Sequence, residues 1–176
     1  MTNLNLCEYL WIDGTEPTAQ IRSKAKTVNL KNPDNPQLQD FSEWSFDGSS
    51  TNQAEGTDSD CILKPVNFVN DPERGEGSFL VMCEVFNSDG TEHKSNSRAK
   101  LRKTLDAGAK NANPWVGFEQ EYVMLSENRI LGWPKEGEPG EQGPYYCGAG
   151  AEKVAGRDLV EYHAELCLEA GLLFYG

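Results

Sequence analysis

The sequence predicts an α+β fold, because strand patterns fill about the first ninety residues and helical spacing appears only after them. The strand candidates are residues 6–12, 21–30, 62–69 and 79–86, which are rich in aliphatic and aromatic side chains. Asp13-Gly14 follows the first candidate as a turn signal. Because residues 21–30 alternate polar and apolar side chains, we expect them to pair back on residues 6–12.

Residues 41–60 are rich in Ser, Asp, Gly and Asn, which predicts a long loop. Loops of that length in compact domains are usually functional or disordered. Asp47 lies in this loop, within Trp44-Ser45-Phe46-Asp47-Gly48-Ser49-Ser50-Thr51. By composition the Asp-Gly-Ser-Ser run is a turn, yet the flanking aromatic residues also suit a loop that presents one carboxylate. The residues alone leave both interpretations open.

After residue 95 the spacing predicts a helix over 97–109, a strand over 115–125 and a second helix over 157–170 that stops at Gly171. The apolar run at 172–175 then favours the start of a buried strand. Because such a strand needs partners on both sides, we expect this chain to be a piece of a longer polypeptide.

Charge and composition exclude several functions. The chain has 176 residues, with 28 acidic against 16 basic side chains and a net charge of −12. This excess of acid repels phosphate backbones and anionic lipid, so we expect no nucleic-acid and no membrane partner. The five cysteines have irregular spacings and no CxxC pair, which disfavours a disulfide framework or a zinc site. With no basic secretory signal at the start, we expect a cytoplasmic protein.

Glu119 and Glu121 form the strongest candidate site. On a strand they point the same way, about 6.5 Å apart. Two like charges at that distance repel by about 2.5 kcal/mol at an effective dielectric of 20, which water or a bound cation offsets. Mg²⁺ and Mn²⁺ take carboxylate oxygens, so the pair is a candidate half of a two-metal site. A solvated strand face and a glycosidase carboxylate pair are the alternatives.

The glycine-rich tract at 143–150 is a weaker signal. Its glycines would let backbone amides approach an anion closely. The tract has no Walker lysine and no GxGxxG before a helix, so it supports neither a P-loop nor a Rossmann site.

Taken together and in this order, these segments resemble glutamine synthetase, specifically the type II group of eukaryotes and some bacteria. The resemblance covers essentially the whole chain. The matching motifs are YLWIDGT at 9–15, WSFDGSST at 44–51, LVMCEVF at 80–86, PWVGFEQEY at 114–122, GWP at 132–134, GPYYCG at 143–148 and GRD at 156–158.

The resemblance implies a β-grasp domain over 8–91 and the opening part of the catalytic α/β domain over 98–176. Members of this family ligate ammonia to L-glutamate, using ATP and Mg²⁺ or Mn²⁺. ATP phosphorylates the γ-carboxylate, and ammonia then displaces phosphate from the γ-glutamyl phosphate. Members form homo-oligomers of two stacked five-subunit rings, with active sites between subunits.

The resemblance also implies residue roles. Glu119 and Glu121 match metal-binding carboxylates, and Trp115 matches a tryptophan beside the nucleotide base, although Trp115 also suits a core position. Asp47, supported by Ser50, matches the residue that binds ammonium and helps to remove its proton.

A further match is Tyr146, which corresponds to a tyrosine lining the ammonium and phosphate region. Family chains are about twice as long, and their other metal ligands and most substrate-pocket residues fall beyond residue 176. We therefore expect this chain alone to be inactive. The alternatives are a truncated, non-catalytic product that binds full-length subunits, and a related carboxylate–amine ligase.

Overall fold

The structure is a computed structural model that describes residues 4–138, 140–141, 146–151 and 153–175. The chain divides into two compact units, Met1–Pro114 and Trp115–Gly176, and each is described by itself. Among the described helices, none has the length and apolar character that a bilayer span requires.

The first unit is a five-stranded mixed sheet with one α-helix. The strand order is β2-β1-β5-β4-β3; β1 and β5 run parallel, and the other neighbours are antiparallel. The elements are β1 Leu4–Ile12, β2 Ile21–Asn29, β3 Trp44–Asp47, β4 Asp60–Asn70, β5 Ser78–Asn87 and α1 Ser97–Asp106, with 3₁₀ turns at Leu38–Asp40, Gly48–Thr51 and Ala109–Ala112.

The four strands predicted within the first ninety residues are therefore confirmed, and β2 pairs back on β1 from Leu4 opposite Asn29 to Ile12 opposite Ile21. Two details of the prediction were wrong. The connection between these strands is not a tight turn at Asp13-Gly14, because it continues to the start of β2 at Ile21.

The predicted loop over 41–60 also contains a strand. In β3, Phe46 is buried in the core and pairs with Cys61 of β4. A half-buried strand needs only one apolar side chain in two, so the polar residues around Phe46 did not prevent strand formation.

One face of the sheet carries the core. Alternate residues of β1 and β5 point into it, as the two-residue period of a strand requires. The inward side chains of these strands are Cys7, Tyr9, Trp11, Phe79, Val81, Cys83 and Val85. The sheet edges β2 and β3 are joined across this face by Lys24, whose Nζ donates to the Ser45 carbonyl at 2.6 Å. The same Nζ lies 3.5 Å from the centroid of the Trp44 ring.

Helix α1 is fixed to the opposite face by a buried charge. Glu84 of β5 is almost fully buried, and Arg98 and Arg102 of α1 contact its carboxylate at 3.2 and 2.9 Å. A carboxylate at such depth requires paired cations, which α1 supplies. The helix ends three residues before the predicted limit, near Gly108, which has φ of +127°.

The second unit contains α2 Arg157–Glu169 and a short hairpin of β6 Leu125–Ser126 and β7 Arg129–Ile130. The prediction of α2 is confirmed, and Gly171 after it has a left-handed φ of +75°.

The strands predicted over 115–125 and 172–175 were wrong. Residues 115–124 have no regular structure, and neither do residues 172–175. A strand forms only where a neighbour supplies hydrogen bonds and cover for its apolar face. Within the described residues neither segment has a paired strand, and the side chains of Trp115 and Phe118 are both 91% exposed.

Candidate functional site

Residues 47–53, here called the Asp47 loop, form the first part of the connection from β3 to β4. Asp47 ends β3, and its Oδ1 accepts hydrogen bonds from Ser49 Oγ at 2.6 Å and Ser49 N–H at 2.9 Å. These bonds, with a weaker one from Ser59, hold the pKa of Asp47 below its ordinary value. Asp47, Ser49 and Ser50 are all exposed, so the loop presents an ionised carboxylate and two hydroxyls to solvent.

The base of the loop is tightly packed around Gly48. Its N–H donates to the Ser59 carbonyl at 2.7 Å, and its own carbonyl accepts from the amides of Gln53 and Ala54. A Cβ at this position would lie 2.7 Å from the sulfur of Cys61, which leaves no space for a side chain. The glycine next to Asp47 is thus required by packing.

The connection between β1 and β2 lies directly against the Asp47 loop. Gly14 N–H donates to the Thr51 carbonyl at 2.9 Å, and a Cβ on Gly14 would lie 2.1 Å from the Asn52 carbonyl oxygen. Asn52 has a left-handed φ of +58°, and its side chain donates to Thr15 Oγ1 at 3.1 Å. Gly14 therefore permits a backbone approach that any larger residue would block.

Asp13 orders that connection from within. Its fully buried carboxylate accepts bonds from Thr15 N–H at 2.9 Å, Gln20 N–H at 2.7 Å and Arg22 Nε at 2.8 Å. Burial raises the pKa of Asp13, but these hydrogen bonds outweigh burial and hold the pKa far below its ordinary value. The carboxylate is thus ionised at neutral pH and fixes the surface on which Asn52 rests.

The buried side-chain amide of Gln53 fixes the end of the Asp47 loop to the core. Gln53 Oε1 accepts from Trp11 Nε1 at 3.2 Å and Thr51 Oγ1 at 2.8 Å. Gln53 Nε2 donates to the Ile12 carbonyl at 3.2 Å and to Ser95 Oγ at 2.8 Å. Both acceptor and both donor positions of this buried side chain are therefore used, as a rigid polar network requires. The sequence patterns did not indicate that Gly14 and Gln53 hold the Asp47 loop in place.

The predicted metal and nucleotide residues lie in the second unit. Trp115 is 91% exposed and Tyr146 is 73% exposed. Glu119 and Glu121 are exposed in the segment without regular structure, so the strand that would align them on one face is absent. Residues 143–145 of the glycine-rich tract lie outside the described residues.

The carboxylates of the second unit do not by themselves make a metal site. Nowhere in the described part of the chain do three or more His, Cys, Asp or Glu side chains converge on one point. Octahedral Mg²⁺ takes about six oxygens, of which two carboxylates supply a minority. The structure thus shows one ordered candidate site, the Asp47 loop, and no complete cation cage among the described residues.

Comparison with known proteins identifies a family that this chain matches. Residues 3–88 match the family model described as glutamine synthetase, β-grasp domain. The chain is 49% identical over 178 residues to chloroplastic glutamine synthetase of Chlamydomonas reinhardtii, covering 96% of this chain and 46% of that protein.

Two further relatives with the same name match the chain to a similar degree. Glutamine synthetase of Streptomyces viridochromogenes is 51% identical, covering 96% of this chain and 48% of the relative. The Suillus bovinus enzyme is 49% identical, covering 96% and 46%. The chain thus spans about half the length of the curated relatives it matches. The predicted α+β fold with an N-terminal β-grasp domain is confirmed, while the bounds 8–91 and 98–176 stay predictions.

The mixed sheet that carries the Asp47 loop coincides with the matched β-grasp model, and the similarity extends along nearly the whole chain. This chain therefore belongs to the glutamine synthetase family.

Proposed function

We propose that this chain forms part of a glutamine synthetase, which ligates ammonia to L-glutamate with ATP through a γ-glutamyl phosphate. The observation that carries the proposal is the Asp47 loop, an ionised and exposed carboxylate on a packed base. The loop lies in a chain about half identical to proteins named glutamine synthetase.

In this proposal Asp47 binds ammonium and takes up one of its protons, and Ser50 supports it. A carboxylate that stays ionised accepts charge-assisted hydrogen bonds from a small cation. The lowered pKa of Asp47 and its exposure both favour binding of the ammonium cation. Ser49 fixes the carboxylate orientation through two bonds to Oδ1, so little ordering is needed when the cation binds.

Glu119 and Glu121 are proposed as two ligands of Mg²⁺ or Mn²⁺, with the remaining ligands coming from outside this chain. When bound, such an ion neutralises phosphoryl oxygens of ATP. Trp115 is proposed to stack on the nucleotide base, which suits its exposed ring. Tyr146, also exposed, is proposed to border the ammonium and phosphate region.

The proposed assembly is a homo-oligomeric ring, with the family's two rings of five subunits. The proposed partners are L-glutamate, ammonium and ATP, with no nucleic-acid and no membrane partner. A cytoplasmic location is proposed as well, supported by five free cysteines, three of which are buried.

A non-catalytic role, in which the chain binds full-length subunits, is favoured by one feature. Strand β2 lies at the edge of the sheet and offers nine residues to a pairing strand. Native mass spectrometry after mixing with an intact enzyme tests this role, which requires rings of mixed composition.

The catalytic proposal is tested with a chimera. Residues 1–176 replace the corresponding part of the Streptomyces viridochromogenes enzyme, which is 51% identical. A γ-glutamyl hydroxamate assay with ATP, glutamate and hydroxylamine is then run on the chimera and on the 176-residue chain. We expect turnover by the chimera and none by the chain alone. A folded chimera without turnover would contradict the catalytic proposal, and turnover by the chain alone would contradict its inactivity.

A further inference from the structure

His93 is a buried side chain to which the proposed chemistry assigns no role. It follows β5, and its side chain approaches the Asp47 loop although the two are about forty residues apart in sequence. His93 Nε2 lies 2.5 Å from the carbonyl oxygen of Gln53, and Nδ1 lies 2.8 Å from Ser95 Oγ.

The hydrogen bonds define which ring nitrogen carries the hydrogen. A carbonyl oxygen only accepts, so Nε2 must donate to Gln53. Ser95 N–H only donates, and it points at Nδ1 from 3.1 Å, so Nδ1 must accept. His93 is therefore the tautomer with hydrogen on Nε2, and Ser95 holds it in that state.

The segment that carries His93 is itself fixed. His93 N–H donates to the Val85 carbonyl at 3.1 Å, and Asn96 N–H donates to the His93 carbonyl at 2.9 Å. The Asn96 side chain donates to the Val85 carbonyl at 3.0 Å and also accepts from Ala99 N–H, which caps α1. The His93 ring is thus held by β5 and α1, and strands and helices position side chains more precisely than loops do.

The connection from His93 to Asp47 is short. His93 holds the Gln53 carbonyl, and the N–H of the same residue donates to the Gly48 carbonyl at 2.8 Å. Gly48 directly follows Asp47, so displacement of Gln53 moves the backbone that orients the carboxylate. Ser95 reinforces this link, because its hydroxyl also accepts from Gln53 Nε2.

We infer that His93 is a positioning residue for Asp47, holding the Asp47 loop in its ammonium-binding geometry through the backbone carbonyl of Gln53. The inference rests on the proposed function. It assigns to His93 no contact with substrate, because the side chain is buried beneath the loop.

Two substitutions at position 93 test whether the hydrogen bond that Nε2 donates matters more than the other contacts of the His93 ring. His93→Gln keeps an N–H donor at the position of Nε2, whereas His93→Asn places its amide near Nδ1 and leaves the Gln53 carbonyl without that donor. In the chimera, His93→Asn should raise KM for ammonium about tenfold, as expected for loss of about 1.4 kcal/mol. Saturating kcat and KM for ATP should change little, and His93→Gln should restore most of the loss.

A second readout needs no activity. In the 176-residue chain, His93→Asn should speed amide hydrogen exchange at Ser49 and Gly14 about tenfold. The Glu73 amide, which donates to Asp71 Oδ1 in the connection between β4 and β5, is the internal control and should keep its rate. His163→Asn, in the second unit, is the matched control variant and should leave Ser49 and Gly14 unchanged.

If His93→Asn does not fold, Ser95→Ala decides the question, because it removes the hydroxyl that contacts both His93 and Gln53. Faster exchange at Ser49 with a raised ammonium KM supports the inference. Unchanged exchange at Ser49, or loss of thermal stability without any change in ammonium KM, overturns it. An Asp47→Asn chimera with unaltered ammonium KM would instead overturn the proposed function, so the two failures are distinguishable.

Discussion

The Asp47 loop and the segment of residues 115–124 were both predicted to present carboxylates, but only the Asp47 loop is held in place by surrounding residues. The first is held by Gly14 and Thr15 of the connection that Asp13 orders, and by Trp11 through Gln53, all within the same unit. The second has no regular structure, and its aromatic side chains are exposed. An acidic motif thus becomes an ordered site only where the described chain also supplies the groups that orient it.

The largest expected difference between the two regions comes from adding one methyl group to a glycine in each of them. Gly14→Ala puts a Cβ 2.1 Å from the Asn52 carbonyl, so the loop or the β1–β2 connection must move. We expect the free energy of unfolding to fall by about 2–4 kcal/mol. Urea denaturation of the 176-residue chain measures this change.

Gly117→Ala is the matched control, because a Cβ on Gly117 meets nothing within 4 Å. It should change the free energy of unfolding by less than about 0.5 kcal/mol. Equal midpoints for the two variants would show that Gly14 is not a site of close approach.

A smaller effect is expected from a pair of tryptophan substitutions. Trp11→Phe keeps a ring beside Phe46, whose centroid lies 4.7 Å away, but removes the N–H that donates to Gln53. The expected loss of stability is about 1–2 kcal/mol. Trp115→Phe, at a ring that is 91% exposed, should cost less than about 0.5 kcal/mol. Thermal unfolding compares them; a larger loss for Trp115→Phe would mean that residues 115–124 are packed after all.

Local patterns predicted much of the fold. Four of the five strands of the mixed sheet and both α-helices followed from the spacing of apolar residues, because each periodicity is a property of neighbouring residues. The short β3 was missed since Trp44 and Phe46 alternate only once within a polar stretch. The strand over 115–125 was wrong because an apolar pattern permits a strand, whereas hydrogen-bonded neighbours create one.

The candidate site was predicted less completely. Asp47 and Ser50 were identified by their motif, but their supports were not. Gln53 contacts Trp11 and His93, which lie about forty residues away in opposite directions along the chain. No local spacing encodes such contacts. The available signals were slight: Gly14 stands inside a matched motif, and His93 is one of only two histidines.

The proposed binding of ammonium by Asp47 can be tested with one pair of substitutions. Asp89 provides a matched control, because this exposed carboxylate accepts from Thr91 N–H at 2.9 Å and Thr91 Oγ1 at 2.6 Å, the same turn geometry that Asp47 makes with Ser49. The direct measurement is kcat/KM for ammonium in the chimera carrying Asp47→Asn or Asp89→Asn. We predict a loss of about a hundredfold or more for Asp47→Asn and less than about twofold for Asp89→Asn. Equal values of kcat/KM for the two variants would contradict the proposed role of Asp47.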